Sequence, residues 1–116
     1  MKIKKGTNIQ VWCGLKERDT NVLHTLEEVK EICQKFVDDI GECVSVTPTD
    51  FIYTNGNEQG VVVGFINYPR YPRKKKDIRR RAIQLATLLM YDLNQYKVTV
   101  TTPKKSYMLE NNTLKK

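Results

Sequence analysis

One histidine and three cysteines are the only imidazole and thiol groups in the 116-residue sequence. Cys13, Cys33 and Cys43 are an odd set with no C-x-x-C pair, so the pattern supports neither a disulfide framework nor a zinc site. Each sits inside an apolar pattern and reads as a small core residue. His24 lies alone in a polar loop three residues before the helix's first glutamate, and reads as a surface side chain rather than a general base. There is no Gly-rich phosphate loop and no G-x-S-x-G. No apolar run approaches the ~20 residues of a membrane span. The start MKIKKG is basic, but neither an apolar segment nor a cleavage site follows it. These absences argue against a catalytic residue, a metal or another cofactor, and against a membrane partner. They lead us to expect a cytoplasmic protein.

What is present is charge of one sign in one place. The net charge is +7, and the stretch Tyr68–Arg81, YPRYPRKKKDIRRR, carries all of it. Arg70, Arg73, Lys74, Lys75, Lys76, Arg79, Arg80 and Arg81 face one acid, Asp77, while the rest of the chain balances to zero. A pI near 9.4 points to anionic partners and says nothing about fold.

The hydrophobic pattern gives one domain over 1–116, with 1–6 and 111–116 as frayed tails. Alternation from Thr7 to Leu15 predicts a strand with Ile9, Val11, Cys13 and Leu15 on one face and Asn8, Gln10 and Trp12 on the other. Thr25 and Glu28 form a capping box ahead of an apolar stripe running from Leu26 to Ile40, and Gly41 ends that helix. Cys43–Tyr53 reads as a second strand carrying Pro48, and Asn55-Gly56 as its hairpin turn. The third strand, about Glu58–Tyr68, is apolar on both faces and therefore central. A second helix from near Asp77 to Tyr96 and a fourth strand, Lys97–Thr102, complete the order, with a short extra strand at Tyr107–Leu109 as an option. The expected fold is α+β: a ferredoxin-like β-α-β-β-α-β with a four-stranded antiparallel sheet and two helices on one face.

Two helices leave the other sheet face open, with Trp12 beside Val62 and Ile66. That face is too apolar to stay wet in a monomer, so a homodimer or higher homo-oligomer is expected there, with a ligand platform or cover by the tail as alternatives. RNA-recognition domains stack bases on aromatics of strands one and three; here Trp12 fits, but strand three offers valines.

At the second helix the cations crowd an N-terminus that already carries partial positive charge. Function is sought where a local rule is broken. Free N–H groups, the dipole and arginine forks converge on phosphate. The expected ligand site is thus Arg70, Arg73, Lys74, Lys75, Lys76, Arg79, Arg80 and Arg81, with Tyr68, Tyr71 and Trp12 as stacking surfaces. A solvated charge run is the alternative.

The segments VTPTDFIYTNGNEQGVVVGFINYPRYP and LLMYDLNQYKVTV, with GLKERDT and TLEEVKEIC, resemble a group of small tailed-phage proteins. The resemblance implies host takeover or counter-defence in the host cytoplasm. The functional expectation is a non-enzymatic accessory protein that binds nucleic acid or a nucleotide. A protein–protein inhibitor docking on an acidic host protein is the alternative, and a metal nuclease using dispersed carboxylates such as Asp50 and Glu58 is the third.

Overall fold

The computed structural model describes residues 8–66 and 74–113. Strand β1 (Ile9–Gly14) is followed by helix α1 (Leu26–Ile40), the hairpin β2 (Val44–Tyr53) and β3 (Gly56–Phe65), helix α2 (Lys75–Asp92), and strands β4 (Lys97–Thr101) and β5 (Ser106–Glu110). The sheet is wholly antiparallel with the order β2-β3-β1-β4-β5. The first four strands keep the expected order, with β3 and β1 interior. The sheet has five strands rather than four: Ser106–Glu110 pairs along all of β4 and takes over its edge. Its Tyr107 and Leu109 pack against the core while Met108 faces out. That alternation continues the core face of β4, where Val98 and Val100 are buried.

Both helices lie on one face. α2 crosses β1 and β4, and α1 rests on β2 beside α2. The core between them is aliphatic: Val11, Val61, Val63, Val98 and Val100 from the sheet, Ile78, Leu85, Ala86 and Leu89 from α2, and Val29 and Cys33 from α1. Burial pushes the Cys13 thiol up to about 12, with Cys33 and Glu58 adding to the rise. Burial likewise pushes Cys33 up to about 11. Both therefore stay protonated and behave as small hydrophobes.

Helix α1 starts as its sequence dictates. Thr25 Oγ1 accepts from Glu28 N (3.2 Å) and Glu28 Oε1 accepts from Thr25 N (3.4 Å). Gly41 closes it in the left-handed region at φ 70°. Thr25→Ala removes one half of this reciprocal cap and should cost about 1 kcal/mol, read as a lower urea midpoint at unchanged slope. An unchanged midpoint would show the cap to be idle.

The hairpin departs from the expected Asn55-Gly56 centre. Tyr53 pairs with Gly56, so the two-residue loop is Thr54-Asn55, with Asn55 at φ 62°. Gly56 is already in the strand, because the Tyr53 ring lies over it: a Cβ there would sit 2.6 Å from Tyr53 Cε2.

Candidate active site

The strands leave a polar cleft at the end of the sheet where β1 finishes and β3 begins. Two glycines, Gly14 and Gly60, pair there across β1 and β3. Neither can carry a side chain without displacement. A Cβ on Gly60 would lie 2.1 Å from Phe51 Cε2 and 2.9 Å from the Cys13 carbonyl. A Cβ on Gly14 would lie 2.9 Å from Gln95 Oε1 and 3.5 Å from Glu58 Oε2. Over Gly14, then, a carboxylate and an amide oxygen converge.

Around that point is a cavity of about 390 Å³ lined by Lys16, Glu17, Arg18, Tyr53, Glu58, Gln95, Tyr96 and Lys97. The volume falls in the range of small-molecule sites. Glu58 stands on β3 and Tyr53 on β2, both on the face without helices, as the pairs Phe51–Glu58 and Tyr53–Gly56 require. Gln95 and Tyr96 come from the turn after α2. Gln95 is buried, and its Nε2 donates to the carbonyls of Lys16 and Leu93, each at 3.1 Å. Tyr96 Oη donates to Asp19 Oδ2, and its ring lies 4.8 Å beneath the Arg18 guanidinium. The Asp19 bond raises the pKa of the Tyr96 hydroxyl, with partial burial adding, so it remains a neutral donor.

The loop 16–24 forms one wall, and a histidine clip holds it. His24 Nε2 meets Glu17 Oε2 at 2.7 Å, and Nδ1 meets Glu28 Oε2 at 2.6 Å. Carboxylates only accept, so both ring nitrogens bond as donors only in the imidazolium form. Burial of the ring opposes its charge, but the bonds to Glu28 and Glu17 outweigh burial and leave the His24 pKa raised. The same bonds lower both acids. For Glu17 the His24 bond is the main cause, opposed by partial burial and helped by Asn94 and Thr20. For Glu28 the His24 bond again leads, with burial opposed and the Thr25 backbone bond assisting. His24 was read from sequence as a surface side chain; it is a half-buried structural cation.

A pH dependence follows. The raised His24 pKa contributes stability in full below its ordinary 6.5, and that stability is lost as pH rises through the raised value. The lowered acids contribute above their ordinary 4.5 and lose it as pH falls through their lowered values. The loop is therefore held most firmly in weak acid. Because the chain has a single histidine, its imidazole carbon proton is directly assignable by NMR. It should titrate above 6.5, and a midpoint at or below 6.5 would refute the clip.

A larger cavity of about 480 Å³ opens on the other side of this loop, between Leu15, Leu23, His24, Pro48 and Asp50. It offers less chemistry, since both His24 nitrogens are already committed. Among the described residues no three His, Cys, Asp or Glu side chains converge as metal ligands.

The described residues of the basic stretch sit elsewhere. Lys74 is the N-cap of α2 and makes no side-chain cap. The 18 residues of α2 span roughly 27 Å, which carries Lys75 to the opposite end of the sheet from Gln95. Lys75 and Arg79 there line a small cavity of about 210 Å³ with Lys104 and Lys105. Lys76 is exposed. Arg80 pairs with Asp77 at 3.5 Å. Arg81 ties the helices together: its Nη1 donates to the Ile40 carbonyl at the end of α1 (2.6 Å) and to Glu42 (3.3 Å). Trp12 is half-buried, donates Nε1–H to Thr101 Oγ1 at 2.9 Å, and has its ring 6.4 Å from that of Phe51. Tyr68, Arg70, Tyr71 and Arg73 lie outside the described residues. The cleft residues Tyr53, Gln95 and Tyr96 carried no signal in the sequence, and Glu58 appeared there only as one dispersed acid.

No family model and no curated protein matches the sequence. The fold, however, is that of a solved phage enzyme. The chain is similar to the structure of a phage SAM lyase in its apo state, with TM-score 0.77 and 18% identity over 97% of this chain and 95% of that one. It is equally similar to a phage SAM lyase in complex with S-methyl-5′-thioadenosine, with TM-score 0.75 and 19% identity over 96% and 94%. The phage resemblance of the sequence thus has a structural counterpart. The expectation of a non-enzymatic binder of phosphate-rich ligands is corrected: the matching fold belongs to an enzyme, and the polar cleft lies away from the basic end on which that expectation rested. No helix among the described residues is long and apolar enough to cross a membrane.

Proposed function

We propose that this protein is a lyase that cleaves SAM (S-adenosylmethionine) to S-methyl-5′-thioadenosine in the cleft over Gly14. The observation that carries the reading is the Glu58 carboxylate, which has no hydrogen-bond partner among the described residues. It faces a cavity of ligand size in a fold shared over almost the whole chain with phage SAM lyases.

The lining suits such a substrate. Tyr53 and Tyr96 offer rings to a purine. Lys16, Arg18 and Lys97 offer cations to the substrate carboxylate, and Glu58 offers an anion to its positive end. The reaction needs little acid–base help, because a sulfonium is already a good leaving group. The bond from sulfur to Cγ breaks, the electron pair stays on sulfur, and a neutral thioether departs. With no water added, the four-carbon fragment either closes its own carboxylate onto Cγ to form a lactone or passes a Cβ proton to that carboxylate to form an alkene. In both routes positive charge disappears from sulfur. A carboxylate held against sulfur would oppose that change, whereas one held at the α-ammonium group would not. The protein's contribution is then to fold the substrate into a reactive conformer and to hold it out of water. Consumption of SAM withdraws the methyl donor from methylation-dependent host defences, which keeps counter-defence as the biological role, now by catalysis.

Calorimetric titration with S-methyl-5′-thioadenosine tests the assignment of the cleft. Saturable binding that is lost in a Tyr53→Ala, Tyr96→Ala double variant is expected. No binding at millimolar ligand would sink the reading.

A further inference from the structure

We propose that Gln95 is a specificity-determining residue that, with Glu58, seats the substrate's α-ammonium group over Gly14. The proposal rests on the lyase reading of this cleft. Its warrant is how the Gln95 amide is fixed. Nε2 donates to two backbone carbonyls, Lys16 and Leu93, both at 3.1 Å. A flipped amide would set its oxygen against those two carbonyl oxygens, so the orientation is dictated by the network. Oε1 is thereby aimed at the space above Gly14, where a Cβ would be 2.9 Å away. No donor among the described residues reaches it.

Glu58 Oε2 borders the same space, 3.5 Å from the same point. The corner therefore presents two acceptors and no donor. A carboxylate, a ketone or a purine carbonyl would meet repulsion there. A protonated amine supplies several N–H donors and the matching charge, and satisfies both oxygens at once. Gly14 is what leaves the room: a Cβ there would press on Gln95 Oε1 at 2.9 Å and displace it.

Two ligands separate this seat from the rest of the site. S-adenosylhomocysteine carries the nucleoside and the α-ammonium, and S-methyl-5′-thioadenosine carries the nucleoside alone. Calorimetry should show that Gln95→Met weakens S-adenosylhomocysteine about tenfold or more, as loss of a hydrogen bond to a charged group does. S-methyl-5′-thioadenosine should change by less than about twofold. Glu58→Gln, which leaves the Gln95 anchor in place, should give the same pattern and carries the test if Gln95→Met does not fold. Equal weakening of both ligands would overturn the proposal, because Gln95 would then serve the nucleoside or only the structure. Unchanged affinity for S-adenosylhomocysteine would overturn it as well. If the unmodified protein binds neither ligand, the lyase reading fails and this proposal falls with it.

Discussion

Glu58→Gln should lower kcat/KM for SAM about ten- to a hundredfold while leaving the melting temperature within a degree or two. The range reflects the worth of a hydrogen bond to a charged group, about 1.5–3 kcal/mol, at 1.4 kcal/mol per factor of ten. The amide keeps the shape and one acceptor, so the loss isolates the charge. It should fall mainly on KM, because the charge of the ammonium is the same in the substrate and at the transition state. Stability should barely move: Glu58 holds no hydrogen bond among the described residues, and its nearest electrostatic consequence is on the Cys13 thiol, which is neutral in any case. A wild-type kcat/KM in this variant would remove Glu58 from the mechanism. A large fall in melting temperature would make it a structural residue.

Gly60→Ala should be the most damaging single methyl in the molecule, lowering the melting temperature by about 5–15 °C, the shift that an overpacking cost of about 1–3 kcal/mol produces in a domain of this size. The Cβ would lie 2.1 Å from Phe51 Cε2 and 2.9 Å from the Cys13 carbonyl. Phe51 can rotate away, at the loss of its contact with Trp12. The carbonyl cannot, because β1 is held between β3 and β4. Gly64→Ala is the internal control. Its Cβ would meet only Ser45 Oγ, at 2.9 Å, and that hydroxyl is free to turn. A Gly60→Ala protein as stable as Gly64→Ala would show that the sheet centre yields more readily than its geometry implies.

The elements were legible where local chemistry and burial agree. Thr25, Glu28 and Gly41 mark both ends of α1, and the doubly apolar run through Val61–Phe65 marks a central strand. β5 was legible only as an option, since Tyr107 and Leu109 are too short an alternation to separate from a tail until β4 supplies a partner. Helix α2 begins two residues before the expected Asp77 and ends at Asp92 rather than Tyr96, because Asn94 turns into the left-handed region at φ 50°. The candidate site was not legible. Lys16 and Arg18 look like loop solvation, Tyr53 and Glu58 like hairpin flanks, and Gln95 like a helix end. Only the pairing of β1 with β3 and the return of α2 bring them to one point. Charge density drew attention to the other end of the sheet, where excess cations gather but, among the described residues, no anchored, unsatisfied acceptor or donor defines a ligand. The phage resemblance carried context and no site, because its segments are turns and strands.

The most direct measurement is to incubate the purified protein with SAM and follow the products by liquid chromatography and mass spectrometry. The account predicts protein-dependent accumulation of S-methyl-5′-thioadenosine with an equimolar four-carbon lactone or alkene, and its slowing in Glu58→Gln at SAM concentrations below KM. SAM that decays no faster than in buffer alone would contradict it.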